Sequence, residues 1–190
     1  MEVIPINTIV TSKEAILEAC RQLVSQKGLE ALNMREVAAS CHVALGSLYN
    51  YFPSKGELIA AAIESVWQDI FQMGKECRAT ASYPEYVGWI FERVQQGTLQ
   101  YPHFFSAHSL SFSSPEKGRA RQVMERYFSH MKSGMMQALQ GDSSVKTMAF
   151  RAGFSQEDFV EFTLSALLSL LVQQNSSCEI LLEVIRRAIY

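Results

Sequence analysis

Cysteine is sparse and scattered in this chain. Cys20, Cys41, Cys77 and Cys178 stand far apart and form no CxxC pair, which excludes a closely spaced redox or zinc motif and reads as reduced thiols in a cytoplasm. No run approaches the roughly 18 apolar residues that a membrane span needs. The opening Met-Glu-Val-Ile-Pro lacks the charged and apolar regions of a signal peptide. No membrane partner is therefore expected, and the location expected is cytoplasmic. Strand-like alternation of useful length is missing, as are repeats and low-complexity tracts. So is a catalytic constellation: no Ser, Cys or Thr has a base at motif spacing, no glycine loop cradles phosphate, and the aromatic-rich region holds no paired carboxylates. Neither an enzyme nor a cofactor is expected. Positive charge is scarce too. Residues 1 to 60 hold Lys13, Arg21, Lys27, Arg35 and Lys55 against Glu2, Glu14, Glu18, Glu30, Glu36 and Glu57, whereas DNA-binding domains are usually basic.

What the chain does have is helical pattern. Its 190 residues are 48% hydrophobic and 19% charged, enough for a small module and a separate core beside it. Residues Asn33 to Leu58, NMREVAASCHVALGSLYNYFPSKGEL, are the most informative. Asn33 with Glu36 makes a capping box, and Val37, Ala38 and Cys41 follow at helical spacing. Cys41-His42-Val43 forms a turn. A second short helix spans Ala44 to Phe52, with Leu48 and Phe52 inward and Ser47, Tyr49, Asn50 and Tyr51 outward. Pro53 ends it, and Ser54 with Glu57 opens the next helix. Two short helices across so tight a turn bury little alone but can set one helix in a DNA groove. The alternative is an ordinary helical corner with exposed tyrosines.

This stretch resembles the DNA-binding domain of the tetracycline-repressor-like (TetR) transcription regulators. The resemblance rests on Val43, on Ser47-Leu48-Tyr49-Asn50-Tyr51-Phe52, and on Pro53-Ser54-Lys55-Gly56-Glu57-Leu58, with Ile16, Leu17, Cys20, Leu23 and Val24 as the inner stripe of a preceding helix that Gly28 ends. It covers about residues 10 to 65; beyond that only helical architecture carries over. His42 departs from the pattern, since the family usually has Gly there, a residue suited to positive φ. The resemblance implies that Arg35 and Ser47 touch base edges, and Arg35 suits a two-pronged grip on guanine. Leu45 and Gly46 lie at the leading end of the recognition helix, Leu45 for a thymine methyl and Gly46 for close approach. The alternative for Arg35 is pairing to a neighbouring Glu. Lys55 is the best phosphate contact, helped by helix-start amides, and Tyr49, Asn50 and Tyr51 add neutral hydrogen bonds. So few charges predict a shallow salt dependence.

Past residue 58 the chain stays helical. Ile59, Ala62, Ile63, Val66, Trp67, Ile70 and Phe71 carry a long helix toward Met73, and Gly74 to Ser82 reads as a loop. Pro84 and Glu85 start a helix to about Gln100. Pro102 begins a short segment through Leu110, and Ser114-Pro115-Glu116 starts a helix to about Leu139. Ser155 with Asp158 opens another to about Asn175, and Ser177 with Glu179 opens the last.

Residues 83 to 136 hold half of the aromatic residues, three of the four His and four of the eight Met. Trp89, Phe104, Phe105, Phe112, Tyr127 and Phe128, with Phe91 and Tyr101, can line an apolar cavity. His103, His108 and His130 supply polar handles, and Met124, Met131 and Met135 supply adaptable walls. For any one of them, plain core is the alternative; the resemblance favours a pocket for a small apolar or aromatic effector. The His spacing does not suit a metal site. From Phe159 to Val172 only Glu161, Thr163, Ser165 and Ser169 interrupt the apolar residues, so that helix must be covered on more than one side. Phe159, Phe162, Ser165, Ala166, Ser169, Leu170, Leu181 and Ile185 are the candidate homodimer face, as in the family; burial in the chain's own core is the alternative.

The expectation is an all-α protein: a three-helix helix-turn-helix domain over residues 1 to 58, then a helical effector-binding and dimerisation domain over 59 to 190. It would regulate transcription, most simply as a ligand-responsive repressor, and bind double-stranded operator DNA as a homodimer on a pseudo-palindrome. The alternative is a helical interaction protein that kept the fold and lost specific DNA binding.

Overall fold

In the computed structural model the described residues are 11–72, 82–102, 104, 118–146 and 148–190. They form eight α-helices, and among them extended pairing is limited to an isolated bridge between Arg151 and Phe154. Three short helices come first: α1 (Lys13–Lys27), α2 (Met34–Ser40) and α3 (Leu45–Tyr51). The Ser12 hydroxyl accepts from the Ala15 amide and caps α1; Gly28, at φ 82°, ends it in the left-handed region open to glycine. A 3-10 turn, Leu29–Ala31, leads to α2. The inner stripe of α1 is as the spacing predicts: Ile16, Cys20, Leu23 and Val24 are buried, with Leu17 half-buried. They meet Val37 and Ala38 of α2, and Leu48 and Phe52 from α3 and its end.

Neither predicted capping box in this region closes reciprocally. The Asn33 side chain accepts from the Glu36 amide at 2.9 Å, but the Glu36 carboxylate pairs with Lys27. The Ser54 hydroxyl accepts from the Glu57 amide, while the Glu57 carboxylate pairs with Arg119. In both cases a distant cation captures the acid that the local motif would have used. A complete box forms instead at Ser82 and Glu85.

The turn after α2 is a full Schellman closure. The His42 amide donates to Ala39 and the Val43 amide to Ala38, with His42 at φ 55°. A side chain thus occupies the conformation that favours glycine. Since His42 is exposed, little packing is lost on removing it. His42→Gly is expected to raise stability by about 0.5–1 kcal/mol, a melting-point rise of roughly 1–4 °C, whereas His42→Ala should give none. Calorimetry of the two variants tests this.

Helix α4 (Lys55–Gln72) runs from the helix-turn-helix into the larger bundle of α5 (Tyr83–Gln100), α6 (Gly118–Gly141), α7 (Gln156–Val172) and α8 (Glu179–Ile189). It packs most extensively on α6 and also contacts α1 and α5. At one crossing Gly97 of α5 lies so close to Ile70 of α4 that a Cβ would clash. The predicted helix start at Ser114-Pro115-Glu116, the loop at 74 to 81 and most of the segment from Pro102 to Leu110 lie outside the described residues. Helices α7 and α8 divide their apolar residues between two faces. Phe159, Val160, Leu164, Leu167 and Leu171 enter the core with Leu181, Leu182, Ile185 and Ile189, while Phe162 is 55% and Ile180 83% exposed. No helix among the described residues is long and apolar enough to cross a membrane.

Candidate nucleic-acid interface and effector cavity

Helix α3 presents one face inward and one outward. Leu48 and Phe52 are buried; Leu45, Gly46, Tyr49, Asn50 and Tyr51 are exposed and Ser47 is half-buried. The outward set is the predicted one. A Cβ on Gly46 would meet nothing, so the fold does not require glycine there. Tyr51 is partly committed: its hydroxyl donates to the Thr11 carbonyl at 2.7 Å, tying Thr11 to α3. Its donor is therefore engaged within the chain instead of being aimed outward.

The flanking cations separate into paired and unpaired ones. Arg21 pairs with Glu14 and Glu18 and donates to Ser65; Lys27 pairs with Glu36. Arg35 and Lys55 are exposed and make no ion pair among the described residues, and Lys13 lies over the Phe52 ring at 5.8 Å. Glu36, the acid next to Arg35, is held by Lys27, which removes the neighbour that a structural role for Arg35 would use. Lys55 begins α4, where the helix dipole disfavours a cation. A charge at a locally unfavourable position, with no partner, is what a contact to an outside anion leaves behind. The Cys41 thiol beside this surface is raised by burial, and burial pushes Cys20 up to about 12. Both stay protonated and poorly nucleophilic, which argues against redox sensing at the turn.

The aromatic region is organised around Trp67, which is fully buried. Its indole N–H donates to the Met124 sulfur at 3.0 Å. Phe71 and Tyr127 stack on it at 5.7 and 5.3 Å, and Phe104 and Phe128 meet it edge-on. Above this floor a cavity of about 270 Å³ is lined by Phe71, Tyr86, Trp89, Ile90, Tyr127, His130 and Met131. Of the predicted pocket residues, Trp89, Tyr127 and Met131 line it, as does the predicted handle His130. Met124, Phe104 and Phe128 pack around Trp67 instead, because the indole claims the Met124 sulfur and the two ring edges. Phe105, His108, Phe112 and His103 lie outside the described residues. Phe71, Tyr86 and Ile90 were not anticipated as lining. The only local signal was spacing: Phe71 stands one turn after Trp67, and Tyr86 one turn before Trp89.

Helix α4 touches both features. Near its start Glu57 binds Arg119; midway Glu64 binds Arg126; near its end Phe71 lines the cavity. A second, polar recess of about 230 Å³ lies where α1 meets α4 and α5. There the Ser25 hydroxyl donates to the Gln100 carbonyl at 2.6 Å, and the Tyr101 hydroxyl to Asp69 at 2.7 Å.

On the dimer candidates the structure distinguishes two groups. Phe162, Ser165 and Ser169 are exposed, and Ala166 and Leu170 half-buried, whereas Phe159, Leu181 and Ile185 belong to the chain's own core. Phe159 packs on Tyr83, Phe150 and Phe154. Val172, Ile180 and Val184 are further exposed apolar residues of these two helices.

A helix-turn-helix whose second helix presents an outward face, continuous through α4 with a bundle that holds its own cavity, defines a helical protein of two parts. Residues 16–62 match the model described as bacterial regulatory proteins, tetR family. The likeness to that family's model lies in the helix-turn-helix segment and takes in about a quarter of the chain. It is 43% identical over 63 residues to the HTH-type transcriptional repressor KstR of Rhodococcus jostii, a match covering 33% of this chain and 30% of that protein. It is 36% identical over 52 residues to the HTH-type transcriptional regulator UidR of Escherichia coli, covering 27% and 26%. The chain thus spans under a third of these relatives' length. Whole-chain likeness comes from solved folds. The multidrug binding protein EbrR, complexed with imidazole, matches with a TM-score of 0.62 at 19% identity over 93% of this chain and 94% of that one. FadR of Bacillus subtilis, in complex with stearoyl-CoA, matches at 0.60 and 13%, over 94% and 100%.

Proposed function

We propose that the protein is a ligand-responsive repressor that binds a pseudo-palindromic operator as a homodimer. Residues 1–58 form its DNA-binding part and 59–190 its effector-binding and dimerisation part, with α4 crossing the boundary. The observation that carries this reading is the outward face of α3 with Arg35 and Lys55 unpaired beside it. Ser47 and Arg35 reach base edges, Leu45 and Gly46 lie against the groove, and Tyr49, Asn50 and Lys55 hold phosphates. One seven-residue helix reads too few base pairs for specificity, so a second copy is required. Phe162, Val172, Ile180 and Val184 give it an apolar face to cover, with Ser165 and Ser169 allowing close approach.

The effector is a small apolar or aromatic molecule in the cavity beside Trp89. Because Phe71 lines that cavity and Glu57 and Glu64 hold α4 to α6, an occupant that prefers one setting of α4 over another shifts the spacing of the two recognition helices. A few kcal/mol of differential affinity is sufficient. The relatives named as repressors and the neighbours solved with bound small molecules support both parts of the reading.

Selection of genomic fragments with purified protein, followed by footprinting, is the test. A protected pseudo-palindrome is expected; retention of sequence-blind fragments alone would sink the proposal in favour of a fold that has lost specific DNA binding. Salt dependence is a second check. Lys13, Arg35 and Lys55 are the cations of the domain outside ion pairs, and residues 1–10 contain no Lys or Arg. With at most six phosphates neutralised per dimer, the log–log slope is expected near −5 or shallower, at about −0.9 per contact. A slope of about −8 or steeper would require cations that this surface does not offer.

A further inference from the structure

The lining of the cavity narrows the chemistry of its occupant. Its rings are continuous: Tyr86 and Trp89 lie 5.6 Å apart, Trp89 and Phe71 6.1 Å, each pair tilted by 34–37°, and Tyr127 completes the aromatic lining. Among the described residues no Lys, Arg, Asp or Glu lines it, and the basic group in the lining is the His130 imidazole. An anionic ligand would have only that imidazole as a basic partner among the described lining, an expensive arrangement in apolar surroundings. A cation is different, because electron-rich indole and phenol rings attract positive charge without a carboxylate.

An acid stands behind one wall: the Tyr127 hydroxyl donates to the Glu64 backbone carbonyl at 3.4 Å. The Tyr127 hydroxyl is pushed above its ordinary range, first by burial and next by the charge of Glu64, with Arg126 opposing. Glu64 itself is paired with Arg126 at 2.7 Å.

We propose that this cavity takes a compact organic monocation, a quaternary ammonium bearing one small aromatic or alkyl group, held by the rings of Trp89, Tyr86, Phe71 and Tyr127. This rests on the reading of the cavity as the effector site and names the effector's class. At about 270 Å³ the space is slightly below the usual range for drug-sized ligands, so one ring or a branched head fits and a long chain does not.

The test compares phenyltrimethylammonium with its neutral isostere tert-butylbenzene, which differ in one atom and one charge. Binding to the full chain is measured by calorimetric melting and by tryptophan fluorescence. The cation is expected to bind at least about tenfold more tightly, and Glu64→Gln should reduce that advantage at least about threefold while leaving the neutral compound unaffected. Trp89→Leu should remove the preference for the cation. Should Trp89→Leu fail to fold, Glu64→Gln carries the test, since Glu64 is part of an exposed ion pair. Equal or tighter binding of tert-butylbenzene would overturn the cation while leaving the cavity as an apolar effector site. Failure of both probes to bind would overturn the proposal and the effector-cavity reading together.

Discussion

Replacing Tyr49 and Lys55 together by alanine is expected to lower operator affinity on the order of a thousand-fold while the melting temperature stays within about 2 °C. Both side chains are exposed, and neither makes a hydrogen bond or ion pair among the described residues; Tyr49 is 46% exposed. A neutral hydrogen bond contributes about 1 kcal/mol and one to a charged group about 1.5 kcal/mol or more. Doubled across a dimer, the sum is about 5 kcal/mol, or more than three decades in Kd. Stability should scarcely respond. Alanine is a better helix former than tyrosine, and removing a cation from the start of α4 relieves an unfavourable dipole interaction. Fluorescence anisotropy on the footprinted operator, with calorimetry in parallel, reads both quantities. Unchanged affinity would show that this surface does not hold DNA; a fall in both would show that the residues are structural. Gly46→Ala refines the result: a Cβ there meets nothing in the protein, so weaker operator binding from that variant has to come from the duplex side.

How much of this was legible in the sequence depends on the range of the interactions involved. The outward face of α3 is local. Seven residues of α3 with Leu48 and Phe52 at i, i+4 fix which side chains point outward, and pattern alone found them. The positive φ of His42 was foreseeable for the same reason, since the turn that closes α2 is made by amides three and five residues apart. What failed was long-range. Glu36 and Glu57 read as capping acids, yet Lys27 and Arg119 claim them, and a cation 62 positions away leaves no mark in a capping motif. The aromatic region was recognised as rich but not resolved into floor and lining. Trp67 looked like one more inward residue of α4, because its partners Met124, Tyr127 and Phe128 lie on α6. Helix α7 shows the limit of periodicity: apolar residues all round announce two covered faces without saying which face the chain covers itself. Phe159 of α7 went to the core, with Leu181 and Ile185 of α8, and Phe162 of α7 stayed outside.

Trp67→Ala should be the most destabilising single substitution in the bundle, by about 3–5 kcal/mol, a fall of roughly 6–20 °C in melting temperature. The indole is fully buried, its N–H is satisfied by the Met124 sulfur, and four rings pack on it from α4, α6 and the residues after α5. Truncation removes those contacts and leaves a void that close-packed neighbours fill only in part. The loss should extend to the cavity, although Trp67 does not line it. Phe71 and Tyr127 are held by stacking on the indole, and without it both can collapse into the vacated space. Trp67→Phe separates the two consequences. A phenyl ring keeps a surface for stacking and gives up the N–H to sulfur bond, so its cost should be smaller, about 1–2 kcal/mol, with the cavity preserved. That variant also leaves Trp89 as the sole tryptophan of the two in the chain, so its emission reports cavity occupancy directly. A Trp67→Ala protein that melts near the parent temperature would refute the central place given to this indole. A Trp67→Phe protein that is stable yet blind to ligands that bind the parent would show that stacking geometry, beyond the presence of a ring, shapes the cavity.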